Sequence, residues 1–525
     1  MNRMRILQRH AVVLLAATAL VLAASAAGHA QSPRTEKKIT PKQAQELLRS
    51  VNRILHFDSS DSGYVIRHDV QPRLVSRDEV ESFLAKQLRD DKSAQRLQRS
   101  ELVLKKFGLL DRDFDLEPFL VQLLREQIAG YYDEKTKTVN LLDWVDPNTQ
   151  QPVLAHELTH ALQDQYVDLE KWEEQEKDGI PKNVRQDNAA LAVDEDDTVR
   201  DAVVEGQAMV VFADYALRPQ GKTLLTDPNA ANAMEQAMSD YSDSPVMARA
   251  PLFLQESLLF PYQAGMNFID TILRFQGQGA AFAGTLDRPP TSTYEILNPQ
   301  AYMHHAVVPL LTMPDIHGLI SGEYKPYDIG VMGELDVRML GDLFGGVRVG
   351  AALAQAWAGG LYYAAQSRSA KTETGKDTTA SLALLYLSRW TTPKAAQKFA
   401  SIYAGEIVRK YDRATEETVH DAPANAHVAE RIWDTSEGPV LIAVSGRTVF
   451  IGESFPLMLA RKLEFVMMGS VANSGSSEVA TVRQPREELS EPLRHLAVQN
   501  GLLRQTIVTP KPQAARYTET GSAAQ

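Results

Sequence analysis

Apolar positions recur at intervals of three and four along much of the chain, and capping or breaking residues bracket each run, so the pattern predicts a mainly helical protein. Thr40-Pro41 opens one such run, continuing to about 55, and an extended piece over 65–75 follows. Ser76-Arg77-Asp78-Glu79 has the form of a capping box and starts a second helix. Residues 102–110 read as a helix ending near Gly108, and 116–128 as another closed by Ala129-Gly130. The period then changes: Tyr131-Tyr132, a turn at 133–136 and the run 138–142 predict a short strand or hairpin. Asp146-Pro147-Asn148-Thr149 supplies N-cap chemistry for a helix to about 165, with Pro152 in its first turn. The acidic, polar stretch 170–187 reads as a loop. A helix is expected over 197–217, stopped by Pro219, with mixed helices to about 277 and a rigid extended loop at 288–293.

Beyond about Pro309 the texture alters. Glycine pairs stand at Gly345-Gly346 and Gly359-Gly360, and 381–387 is β-rich. Thr392-Pro393 caps a helix to about 411, and 440–444, the turn Ser445-Gly446 and 448–451 form a hairpin followed by a helix through 463. The expected class is α+β: a mainly helical domain with a small sheet, then a C-terminal α+β domain. The expected organisation is a leader at 1–30, a helical region at 31–114, a central domain at 115–308, an accessory domain at 309–468 and a poorly ordered tail at 469–525, rich in Ser, Gln, Glu and Pro.

Composition narrows the chemistry. At 525 residues the chain exceeds what one small module needs, and 44% hydrophobic with 23% charged residues excludes a mainly disordered or fibrous protein. A formal charge of -12 repels phosphate backbones, so no nucleic acid partner is expected. There is no cysteine, which removes disulfides, thiolate ligands and cysteine nucleophiles. Any metal here must use histidine and carboxylates.

Arg3, Arg5 and Arg9 precede an uncharged run at 11–27, and Gly28-His29-Ala30 places small residues where a signal peptidase reads. This predicts export, to a periplasm or the extracellular medium, with the mature chain starting near Gln31 and keeping no stable membrane span. The run is also just long enough to serve as an uncleaved anchor.

The chemistry concentrates in His156-Glu157-Leu158-Thr159-His160, placed where a helix is already expected. Two histidines at i and i+4 project from one face about 6 Å apart, so one ring nitrogen from each can reach a single ion. Glu157 is rotated by about 100°, within reach of a water on that ion without being a ligand. The bland alternative makes the histidines hydrogen-bonded core residues and Glu157 a solvated one. A catalytic zinc needs a third protein ligand and an open position. Gln163 and Tyr166 stand where a metzincin would carry its glycine and third ligand, which excludes that subclass. Glu205, in Val203-Val204-Glu205-Gly206-Gln207-Ala208, is a carboxylate in an apolar helix followed by a glycine that permits helices to approach. It is the candidate third ligand; Asp201, one turn earlier, is the candidate that orients a ligand.

These residues, with Gly130-Tyr131-Tyr132-Asp133, Phe260-Pro261-Tyr262-Gln263-Ala264-Gly265 and Arg288-Pro289-Pro290-Thr291-Ser292-Thr293, resemble the gluzincin metallopeptidases, in particular a group of secreted bacterial zinc proteases that are mostly uncharacterised. The resemblance runs patchily from about 65 to 302. It implies a zincin-like domain, Zn²⁺ on His156, His160 and Glu205, Glu157 as general base, and hydrolysis of a peptide or protein substrate. A second electrophile would steady the oxyanion, with Tyr262, Tyr302, His304 and His305 as candidates. One departure stands out: relatives read Ser-Thr-Glu-Gln-x-x-His-Pro at the last motif, where this chain has Tyr294, Glu295 and Asn298. Two other classes stay open, an inactive envelope scaffold that retains the fold and a zymogen whose region 31–110 covers the cleft.

Overall fold

The computed structural model describes residues 38–88, 91–128, 130–173, 179–227, 229–242, 244–417 and 428–473. The expected leader lies outside the described residues, as does the tail beyond 473. The class is α+β with two sheets. Among the described residues, no helix is long and apolar enough to cross a membrane.

Helix α1 (Pro41–Ser62) begins at Thr40, which accepts from the Gln43 amide in a closed capping box, and ends at Gly63 in the left-handed conformation (φ 79°). Strand β1 (Gln71–Val75) leads through Ser76, whose amide donates to Glu79 at 2.9 Å, into α2 (Arg77–Leu88). Helices α3 (Asp91–Phe107) and α4 (Leu116–Gln127) follow. Strands β2 (Gly130–Asp133) and β3 (Thr138–Leu142) form the expected hairpin. A parallel partner joins it from the N-terminal region: β1 pairs with β3 in the order β1-β3-β2, leaving β2 at the edge.

Helix α5 (Pro147–Val167) carries the two-histidine motif and is capped by Asp146. It starts five residues before Pro152, so that proline sits in the second turn rather than the first, and the Asn148 carbonyl loses its usual donor. The polar stretch 170–187 is not one loop. Short helices span Leu169–Glu173 and Val184–Leu191, the second capped by Asn183. Their composition hides any apolar period, and a cap with a buried Leu191 suffices.

Helix α6 (Asp196–Leu217) crosses α5, and its face is buried all round from Asp201 to Asp214. Helix α7 (Leu252–Gln276) packs on α6 through backbone. A Cβ at Gly206 would stand 2.3 Å from the Gly265 carbonyl, and one at Gly265 would stand 2.2 Å from the Ala202 oxygen. Gly206 therefore does permit a close helix approach, but to α7 rather than to the histidine-bearing helix.

The C-terminal half is a seven-stranded antiparallel sheet in the order β4-β5-β6-β10-β9-β8-β7. Its strands are β4 (Tyr324–Val331), β5 (Trp357–Ser367), β6 (Leu382–Trp390), β7 (Ala414–Glu416), β8 (Ala429–Thr435), β9 (Gly438–Ser445) and β10 (Thr448–Glu453). Alternate side chains serve two cores. Tyr362, Leu384, Tyr386, Ile442 and Ile451 join the helical body, while Leu361, Tyr363, Leu385, Leu441 and Phe450 face the other way. Helices α8 (Glu334–Gly345) and α9 (Val347–Ala354) sit between β4 and β5, and α10 (Pro393–Lys410) covers the first face with Phe399, Tyr403 and Ile407. Helix α11 (Leu457–Asn473) covers the second with Ala460, Leu463 and Met467.

Candidate metal centre

Because α5 is buried on every side from Val153 to Asp164, its polar residues need partners inside the protein. His156 and His160, one turn apart, face α6. Their Nε2 atoms stand 3.1 Å from each other. The carboxylate of Glu205 closes the group, with Oε2 3.1 Å from His156 Nε2 and Oε1 3.4 Å from His160 Nε2. All three are buried, and among the described residues they are the one group of three such side chains whose donor atoms converge closely enough to hold a metal ion.

The spacing passes a simple test of fit. Four donors arranged tetrahedrally at about 2.0–2.1 Å from zinc stand roughly 3.3 Å apart. The two imidazole nitrogens, 3.1 Å apart, match one edge of that figure, and the carboxylate spans the other side with one oxygen toward each ring. Taken one atom per residue, the donors all lie within 4.8 Å of one another. Two neutral imidazoles and a carboxylate are also the donor set that such a cation takes.

Glu157, beside this cluster, is anchored on the edge strand β2. Its Oε2 accepts the Tyr132 amide at 2.9 Å, and Gly130 lies beside it, where an added Cβ would be in ordinary contact with the Glu157 Cγ at 3.8 Å and tight against a Val153 methyl at 3.3 Å. Its other oxygen, Oε1, is buried with no hydrogen-bond partner. Burial pushes the Glu157 carboxyl above its usual range, against the pull of His156 and His160. Burial would also raise Glu205, but the adjacent histidines outweigh that and hold it low. Burial alone would lower His160, yet Glu205 overcomes this and pushes it up to about 9. Without a cation, a proton on His160 thus faces the Glu205 carboxylate.

The surroundings differ from expectation in three places. Asp201 is buried one turn before Glu205, but His156 Nδ1 has no hydrogen-bond partner, so Asp201 does not orient that ring. The residue that braces a histidine is Gln163, whose Oε1 lies 2.8 Å from His160 Nδ1. Its signal in the sequence is weak, since Gln163 stands beside Asp164 and Gln165, whereas Gln207 is an amide at the head of the apolar run after Glu205 and Gly206. Of the four oxyanion candidates, only Tyr262 lies against the cluster, its ring stacked 6.2 Å from that of His156. Tyr302 donates its hydroxyl to the Arg288 carbonyl, and His304 and His305 are exposed. The divergent last motif is structural: Glu295 accepts from the amide and hydroxyl of Thr291, and Asn298 donates to Glu334.

No protein family model matches this chain, and neither a curated protein nor a solved structure does.

Proposed function

We propose that this protein is an exported zinc-dependent metallopeptidase of gluzincin type, with His156, His160 and Glu205 as the ligands and Glu157 as the general base. The observation that carries the reading is the buried convergence of those three side chains, whose donor atoms, one from each residue, lie within 4.8 Å of one another. Three ligands leave a fourth position open, which is the mark of a catalytic rather than a structural site.

Zinc held there would supply Lewis acidity to a scissile carbonyl and to the attacking water. The chain's own contribution is a positioned base. Tyr132 holds Glu157 by Oε2, leaving Oε1 as the atom that takes a proton from water and returns it to the leaving amine. Burial raises the affinity of that oxygen for the proton, bringing the group closer to a working base at neutral pH than an ordinary carboxylate. Tyr262 walls the histidine side with an aromatic face.

An envelope scaffold that keeps the cation only for structure is the competing reading, and depth of burial favours it: His156 and Glu205 are 1% exposed, Glu157 0% and His160 7%. One experiment separates the two. The mature protein is assayed for bound zinc and for hydrolysis of a peptide library, beside Glu157→Gln. The peptidase binds zinc and cleaves, and the variant binds zinc but does not cleave. Zinc without cleavage in the parent selects the scaffold.

A further inference from the structure

A buried relay of amides behind His160 has a direction, and backbone carbonyls set it. Gln207 Nε2 faces the Ala281 oxygen at 3.2 Å, the Phe282 oxygen at 2.9 Å and Thr285 Oγ1 at 2.8 Å. Carbonyl oxygens only accept, so this end of Gln207 must be its NH2. Its Oε1 is then the acceptor, and it receives the Tyr64 hydroxyl and Gln163 Nε2, each at 2.9 Å. Gln163 Nε2 spends its second hydrogen on the Val204 carbonyl at 2.9 Å. Only Oε1 of Gln163 remains for His160 Nδ1. An amide oxygen cannot donate, so Nδ1 carries the hydrogen and Nε2 is left to face His156 and Glu205.

Neither amide can flip without setting oxygen against oxygen in a site without solvent: Gln163 and Gln207 are fully buried and Tyr64 nearly so. His156 has no such brace, since its Nδ1 is without a hydrogen-bond partner. The two histidines are thus held unequally.

We propose that Gln163, anchored by Gln207, is the positioning residue of this metal site, holding His160 as an Nε2 ligand through a fixed tautomer. This rests on the reading that the cluster takes a divalent cation. The relay also ties His160 to Tyr64 in the N-terminal region and to the segment around Phe282, which no spacing within the two-histidine motif would suggest.

The test uses the full mature chain labelled with ¹⁵N-histidine and loaded with ¹¹³Cd²⁺, read by NMR and by competition against a chelator. In the parent, His160 couples to cadmium through Nε2 and keeps a protected proton on Nδ1. Gln163→Met lowers cadmium affinity by about 10- to 100-fold and loses that proton's protection. Gln207→Met, which leaves Gln163 but removes its anchor, gives a smaller loss in the same direction. Coupling of the parent His160 through Nδ1 overturns the proposal whatever the variants do. So does a folded Gln163→Met whose affinity stays within about twofold of the parent, well under the losses such supporting contacts give. If the parent binds no cadmium and no zinc, the metal reading itself fails, and the relay loses its role with it.

Discussion

Among the described residues, two buried clusters of ionisable side chains are built on opposite plans. Against the large sheet, Lys106 of α3 donates to Glu437 at 2.8 Å, to Ser454 Oγ at 2.7 Å and to the Thr379 carbonyl at 3.2 Å. Nearby, Glu453 receives the Tyr403 hydroxyl at 2.5 Å, Lys410 at 2.6 Å and the Tyr411 hydroxyl, while Arg112 also binds Glu437. No side-chain polar atom of these residues is buried without a partner. At the α5–α6 crossing, by contrast, His156 Nδ1 and Glu157 Oε1 are buried without partners, and two imidazole nitrogens stand 3.1 Å apart. A satisfied network specifies how α3 and α10 meet the sheet; an unsatisfied one is arranged around something else. The second pattern is one that a bound cation would complete, which is what the proposed reading requires.

The contrast breaks most sharply at Glu157. Glu157→Gln should leave the fold and zinc content intact while lowering peptide hydrolysis by about 10²- to 10⁴-fold, measured as kcat/KM. No substitution in the ionic cluster should do that at constant stability.

Lys410→Met should do the reverse. It leaves Glu453 charged with only two phenols, so unfolding in urea should show a loss of about 3–5 kcal/mol with zinc content unchanged. The double change Lys410→Met with Glu453→Leu removes both charges and should recover most of that loss. A double variant as unstable as the single one would show that packing rather than charge pairing is at stake.

Gly206→Ala tests the scaffold of the site without touching its donors. The new Cβ meets the Gly265 backbone at 2.3 Å, so α6 must shift. A stability loss of about 1–3 kcal/mol is expected, with weaker zinc retention because Glu205 moves with its helix. The smallest effect is on pH. Below about 9, His160 holds a proton that a cation must displace, so zinc affinity should rise with pH up to about 9 and level off above it. One displaced proton corresponds to about tenfold per pH unit. Proton release measured by calorimetry in buffers of different ionisation enthalpy checks this, and a pH-independent affinity would contradict it.

Much of the site was legible because its signals are local. His156 and His160 are tied by helical periodicity, and the helix itself was announced by Asp146-Pro147 and an apolar stripe. Glu205 and Gly206 stood out as a carboxylate and a glycine in an apolar helix, although the helix that Gly206 admits is α7. The Glu157–Tyr132 bond and the Gln163–Gln207–Tyr64 relay were not legible, because they join residues 25 to 143 positions apart and depend on how strands and helices stack. The same holds for the large sheet. The β9–β10 hairpin is local and was expected, whereas β1 reaches its parallel partner β3 across three helices, and β4, β7 and β8 carry no period that separates them from loop.

Zinc retained by the mature chain after dialysis against a mild chelator, compared between the parent and Glu205→Ala, tests most directly whether the crossing of α5 and α6 is a metal site. The expected result is one zinc per chain in the parent and none in the variant, with both folded. A parent that retains no zinc, or a Glu205→Ala protein that retains it as well as the parent, would contradict the assignment.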